Sequence, residues 1–115
     1  MKFELKNANK VGWEGLKAYI YSEKEDFANA SAALFEVTGS HGKIKTTLSD
    51  RVYFVVSGKG EFVINGEKIE VEENDVIIVP KNTVYDYKSL GGILKLFLVH
   101  TPAYDPEFEE KIEDE

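Results

Sequence analysis

One dipeptide constrains this chain more than any other. Asn65-Gly66 stands between Glu61-Phe62-Val63-Ile64 and Lys68-Ile69-Glu70-Val71. An Asn-Gly pair between alternating runs is the strongest short-range signal for a β-hairpin, because a type I′ turn needs positive φ at both positions. The same grammar extends on either side. Ala33, Phe35 and Val37 alternate with Leu34 and Glu36, which predicts a half-buried strand. Val52 to Val56 is β-branched and aromatic and runs into the turn Ser57-Gly58-Lys59-Gly60. Glu72 to Asp75 reads as a turn, and Val76 to Val79 as a strand that stops at Pro80, which cannot donate to a ladder. Val84 to Tyr87 and Ile93 to Val99 complete the set, with Gly91-Gly92 between them. Short strands joined by short turns predict an all-β sandwich or closed barrel. The expected core is Phe35, Val37, Val55, Phe62, Ile64, Ile77, Val79, Leu96 and Leu98.

The ends are less regular. Leu16 to Tyr21 alternates and reads as a strand, and Lys24 to Ser31 as a turn or short helix. Asp105-Pro106-Glu107 reads as a helix start, with an N-cap, a Pro at the first position and an acid in the first turn. A short acidic C-terminal helix or a frayed tail is expected there.

Length and charge bound the function. The 115 residues fit one domain, taken as 1–115 with the barrel core at about 30–100. There is no cysteine, which excludes disulfides and thiolate metal sites. Residues 105–115 hold seven acids against Lys111, so the net charge of −7 lies almost wholly in the tail and the body is near neutral. No basic stripe is present to neutralise phosphates, so nucleic acid is not expected as a partner. The tail is expected to be solvated. No apolar run approaches the ~20 residues that span a bilayer, and Met1 to Lys6 has no apolar signal region. A cytoplasmic location without a membrane partner is the expectation.

The punctuation of the chain resembles the cupin superfamily. That family's first motif runs Gly, five residues, His, one residue, His, three or four residues, Glu, six residues, Gly. From Gly39 the same spacing reaches Lys45, Thr47, Arg51 and Gly58. The second motif, counted through Pro80, places Asn74 and Asn82 at its glycines and Tyr85 at its histidine. Asn tolerates the left-handed turn conformation, so both replacements keep the backbone requirement. The resemblance implies a double-stranded β-helix, or jelly-roll barrel. It also implies a barrel-mouth site, but the metal ligands are replaced: Lys45 and Arg51 are cations, Thr47 is a poor ligand, and Tyr85 alone makes no site. Neither a metal nor another cofactor is expected.

In an unbroken strand Lys45, Thr47 and Arg51 share a face, which Tyr53 continues; Tyr85 and Tyr87 share a face likewise. The resemblance therefore implies a ligand site of Lys45, Thr47, Arg51, Tyr53, Tyr85 and Tyr87. Arg offers a planar fork for carboxylate or phosphate, and the tyrosines offer apolar faces and hydroxyls. Such a pocket suits an anionic or sugar-like small molecule. The residues leave another outcome open, in which Lys45 and Arg51 pair with Glu36, Glu61 or Asp86, or face solvent. His41, in a Gly-flanked loop, and His100, at the end of the last strand, are the catalytic candidates; His100 should face the same side as Leu94, Leu96 and Leu98. Three functions follow: a metal-free binding module, a metal-free sugar isomerase or epimerase, and a metal-dependent enzyme with atypical ligands. Trp13, Leu16, Tyr19 and Tyr21 exceed what a small barrel needs to cap itself, so a two-fold homodimer is expected.

Overall fold

Short strands separated by tight turns build nearly the whole molecule, whose computed structural model describes residues 1–113. In chain order the strands are β1 (Asn9–Trp13), β2 (Leu16–Ile20), β3 (Ser31–Val37), β4 (Ile44–Thr46), β5 (Asp50–Ser57), β6 (Gly60–Ile64), β7 (Glu67–Val71), β8 (Val76–Val79), β9 (Val84–Ser89), β10 (Leu94–Thr101) and β11 (Glu109–Lys111). They form two antiparallel sheets, one ordered β1-β2-β3-β10-β5-β8 and the other β11-β4-β9-β6-β7. The expected jelly-roll barrel is therefore the fold.

Local chemistry places the turns. Asn65 and Gly66 both have positive φ, and Ile64 pairs with Glu67 across them, as the hairpin signal requires. Asn74 and Asn82 have φ of 75° and 65°, the left-handed conformation expected where the resemblance calls for glycine. Residues 24–29 form turns and no helix. Asp105 does cap a helical start, its carboxylate accepting from the Glu107 amide at 3.0 Å. That helix is a single 3-10 turn, Pro106–Phe108, and the chain then becomes β11.

Alternation decides what is buried. The inward residues of β3, β5 and β10 close the core with Phe62, Ile77, Val79, Tyr85 and Tyr87. Burial of each large apolar side chain contributes about 1.5–3 kcal/mol. Of the expected core, Ile64 alone is only partly buried. Among the described residues no helix is long and apolar enough to cross a membrane.

Candidate functional site

The inner face of the six-stranded sheet changes character along its strands. Reading inward positions in one direction, β10 runs Leu94, Leu96, Leu98, His100; β3 runs Val37, Phe35, Ala33, Ser31; β5 runs Val55, Tyr53, Arg51. The registers put His100 opposite both Ser31 and Arg51. A polar row, Ser31–His100–Arg51, thus crosses three central strands at one end of an otherwise apolar barrel. Above it lies a cavity of about 880 Å³, lined among others by Trp13, His41, Arg51, His100, Tyr104 and Glu109.

Arg51 is 3% exposed. Its guanidinium donates to the Tyr85 hydroxyl and to the Glu109 carboxylate. Tyr85 Oη lies 2.9 Å from Tyr53 Oη, which extends the network into the core. Burial opposes the charge on Arg51, but the oxygens of Tyr53, Tyr85 and Glu109 more than offset it and raise its pKa above the ordinary guanidinium value. Burial pushes the hydroxyls of Tyr85 and Tyr87 well up. Arg51 Nε and Tyr87 Oη are buried without a hydrogen-bond partner among the described residues.

His41 sits on a floor of aromatic rings. Its centroid lies 4.7 Å from that of Tyr87, nearly parallel, and Trp13 meets it edge-on at 5.7 Å. Its Nδ1 is 2.9 Å from the Gly42 carbonyl oxygen. A carbonyl only accepts, so Nδ1 carries the hydrogen and, in the neutral ring, Nε2 keeps its lone pair. Burial holds the His41 pKa below the ordinary imidazole value; the Gly42 carbonyl partly opposes this and Arg51 adds to it. His100 is 5% exposed, and its ring lies against that of Tyr104, with 5.2 Å between centroids. Burial, then Arg51, then His41 hold its pKa well down. The cavity therefore contains two imidazoles held toward the neutral form and, buried at its floor, the fixed cation of Arg51.

The residues expected at the site part company here. Arg51, His41 and His100 line the cavity. Tyr53, Tyr85 and Tyr87 lie beneath it, at most 1% exposed. Lys45 and Thr47 do not share the face of Arg51. β4 ends at Thr46, and residues 47–49 break the strand before β5 begins, so the parity shifts. Thr46 turns inward and is fully buried, with Ile44 on the same side, and Lys45 takes the opposite face. Thr47 instead faces the C-terminal segment: its amide and hydroxyl both donate to the Phe108 carbonyl, at 3.0 and 3.2 Å. The partner of Arg51 is none of Glu36, Glu61 or Asp86 but Glu109, from the tail expected to be solvated.

Trp13, Tyr104 and Glu109 were not legible as site residues. β1 carries Asn9, Lys10 and Gly12, poor strand formers, and only the alternation of Val11 with Trp13 hinted at a face. Glu109 was hidden in a charge run. The donor set does not fit a divalent ion. The family's ligand positions carry Lys45, Thr47, Arg51 and Tyr85, with a permanent cation buried among them. No three His, Cys, Asp or Glu side chains among the described residues are grouped to hold one.

The comparisons with known proteins agree with this architecture. Residues 39–100 match the cupin domain family model. An uncharacterized Aquifex aeolicus protein is 31% identical over 64 residues, which are 56% of this chain and 53% of that protein's length. One from Methanocaldococcus jannaschii is 29% identical over 91 residues, 78% of this chain and 70% of that one. Among solved structures, Streptomyces Pac13, described as a unique nucleoside dehydratase, superposes with a TM-score of 0.87 at 24% identity, covering 98% of this chain and 91% of its own. Pac13 has also been solved with uridine in variants replacing a histidine by glutamine or either of two tyrosines by phenylalanine. KdgF from Halomonas superposes with a TM-score of 0.79 at 18% identity, covering 91% of this chain and 96% of its own. At such identities the likeness is one of fold. The family match spans more than half of the chain and coincides with the barrel, and the chain is a member of the cupin family.

Proposed function

We propose that the barrel carries out metal-independent acid–base chemistry on a nucleoside- or sugar-like small molecule, with His41 as the proton acceptor. The observation that carries this is the orientation of His41 in the cavity. Its hydrogen is fixed on Nδ1, its ring is held neutral, and its Nε2 lone pair is left free. A neutral imidazole in a partly dry cavity is a competent general base. Proton removal from a carbon beside a carbonyl begins both epimerisations and eliminations. In the first the imidazolium returns the proton to carbon; in the second it hands it to a departing hydroxyl, which leaves as water. Trp13 and Tyr104 supply flat apolar faces at the cavity wall that suit a base or a sugar ring. The structural likeness to Pac13 supports the substrate class. The variants of Pac13 solved with uridine alter a histidine and tyrosines, and this barrel stacks His41 on Tyr85 and Tyr87, which Tyr53 meets edge-on.

The test screens nucleosides, uridine first, for binding, and screens sugar and nucleoside derivatives bearing an aldehyde or ketone for solvent deuterium entering the carbon beside it. His41→Gln should lower turnover by a factor of about 10²–10⁴ while leaving the ligand bound. A ligand that binds with neither deuterium uptake nor product would favour a second reading, a binding module. One observation leans that way: the hydroxyls of Tyr85 and Tyr87 are pushed up by burial and make poor acids, which leaves proton transfer to the imidazoles.

The protein is proposed to work in the cytoplasm, away from nucleic acid, as a homodimer. Leu16 is buried in the core, which removes it from the surface expected to pair, whereas Trp13, on the edge strand β1, stays half exposed. Apolar side chains are instead exposed at Phe54, Val76 and Ile78, on β5 and the edge strand β8. Light scattering that gives a monomer at micromolar concentration would contradict the dimer.

A further inference from the structure

We propose that Arg51 is an anion subsite which the chain's own Glu109 occupies, so that a ligand phosphate or carboxylate enters by displacing Glu109 and loosening the C-terminal segment from the barrel mouth. The proposal rests on reading the cavity as a ligand site; it does not depend on the chemistry of His41.

The geometry of Arg51 carries it. One edge of a guanidinium, Nε with a terminal nitrogen, is the fork that receives two oxygens of a carboxylate or phosphate. Glu109 takes only the terminal nitrogen of that fork. Nε is left buried with no partner among the described residues, which is costly for a charged group. Glu109 thus neutralises Arg51 without satisfying it. A ligand oxyanion spanning Nε and the terminal nitrogen would do both.

Glu109 is also a removable counter-ion. It belongs to no central strand. β11 is three residues long and pairs only with β4, also three residues long, at the edge of its sheet. Glu110 and Lys111 are exposed, and Phe108 is 41% exposed. Among the described residues the further ties of the segment are Lys24 to Asp105, the Thr47 amide and hydroxyl to the Phe108 carbonyl, the Ile112 amide to the Lys43 carbonyl and, at its root, the Tyr104 amide to Ser31 Oγ. A segment with so few buried groups opens at low cost. Arg51 by contrast is held in the middle of its sheet and by Tyr85.

Charge in the cavity points the same way. Its lining acids besides Glu109 are Glu23 and Glu25, both exposed, and its lysines are Lys24, Lys43 and Lys111. Lys24 is held by Asp105, so withdrawal of Glu109 uncovers above all the buried charge of Arg51, in a protein whose net charge is −7. The acidic tail then has a specific task, since one of its members holds the subsite until an anion arrives.

The experiment titrates inorganic phosphate, malonate, uridine and uridine 5′-monophosphate into the wild type, Glu109→Gln and Arg51→Gln. A self-occupied site lowers affinity by the fraction of time it is closed, so Glu109→Gln should bind phosphate at least about tenfold more tightly than the wild type. Arg51→Gln should lose phosphate binding. Comparing phosphate with malonate separates the two oxyanions. A second measurement needs no variant: phosphate should speed cleavage of the wild-type C-terminal segment by glutamyl endopeptidase. Equal or weaker phosphate binding by Glu109→Gln overturns the proposal, as does protection of the segment by phosphate. Phosphate effects without any nucleoside binding would leave this subsite standing and remove the nucleoside reading. Uridine binding with no gain from the 5′-phosphate and no phosphate effect would do the reverse.

Discussion

His41 owes its tautomer to a residue that lies outside the cavity. Asp86 Oδ1 accepts from the Gly42 amide at 2.9 Å and from the Tyr87 amide at 2.7 Å, and the His41 amide donates to the Tyr87 carbonyl at 2.8 Å. These bonds clamp the loop against β9. They hold Gly42 at φ +104°, a conformation strained for any residue with a side chain, and so present its carbonyl to His41 Nδ1. Asp86 is thus a positioning residue. Asp86→Ala should cost about 1 kcal/mol in stability. A merely structural role would stop there, but the tautomer should change as well. Nitrogen-15 spectra should show a single Nδ1–H imidazole for His41 in the wild type and a mixture in the variant. An unchanged tautomer in Asp86→Ala would remove Asp86 from the assembly. The sequence pointed to His41 as a loop histidine and to Arg51 as a cation at a motif position. It could not point to Asp86 or Glu109, because each acts across long separations in sequence, 44 residues to Gly42 and 58 to Arg51. A carboxylate in a polar loop or an acidic run gives no local sign of a distant partner.

At the scale of elements, turn chemistry was readable and strand continuity was not. The spacing from Arg51 to Gly58 fits one unbroken strand, β5, and Arg51, Tyr53 and Val55 do share its inner face. Counting the same parity back to Lys45 failed because residues 47–49 interrupt it; Ser49-Asp50, a turn-forming pair, was the signal that could have warned of it. β1 and β11 were missed because their residues favour no strand on their own and are recruited by neighbours already in place. Gly58 shows what the punctuation is for. A Cβ there would meet the Ile93 carbonyl oxygen at 2.3 Å and Leu94 Cα at 3.0 Å, both backbone, at φ +88°. No side chain can move aside to make room. Gly58→Ala should therefore cost at least ~2 kcal/mol, from the strained backbone and the clash together. Calorimetry should show this as a fall in Tm of about 8 °C or more. A fall of only a degree or two would mean that the β5–β6 turn and the start of β10 can separate without loss.

For the whole molecule, the balance between core and cavity sets how stability depends on pH. The apolar core was legible from alternation alone. The polar row Ser31–His100–Arg51 was not, because it exists only once β3, β5 and β10 lie side by side in register. That row places a histidine where its charged form is disfavoured. The folded His100 has its pKa well below the ordinary value of 6.5, by burial first and then by Arg51. The unfolded chain restores that ordinary value. Above about pH 7.5 both states are neutral at His100, and it contributes nothing to the pH dependence. Below about 6.5 the unfolded state takes up a proton that the folded state refuses, so stability falls with pH by on the order of 1 kcal/mol per unit. His41, lowered in the same direction, adds to the effect. The lowered carboxyl of Asp105, whose ordinary value is 3.8, acts in a separate window at lower pH, where its contribution is lost in turn. Melting curves between about pH 7.5 and about pH 5 should therefore show Tm falling as acid is added, with a shallower fall in His100→Asn. A wild-type Tm that stays level or rises over that range would show that His100 takes up its proton as readily in the barrel as in the unfolded chain. The polar row would then be wetter and more open than its burial and its neighbouring guanidinium require.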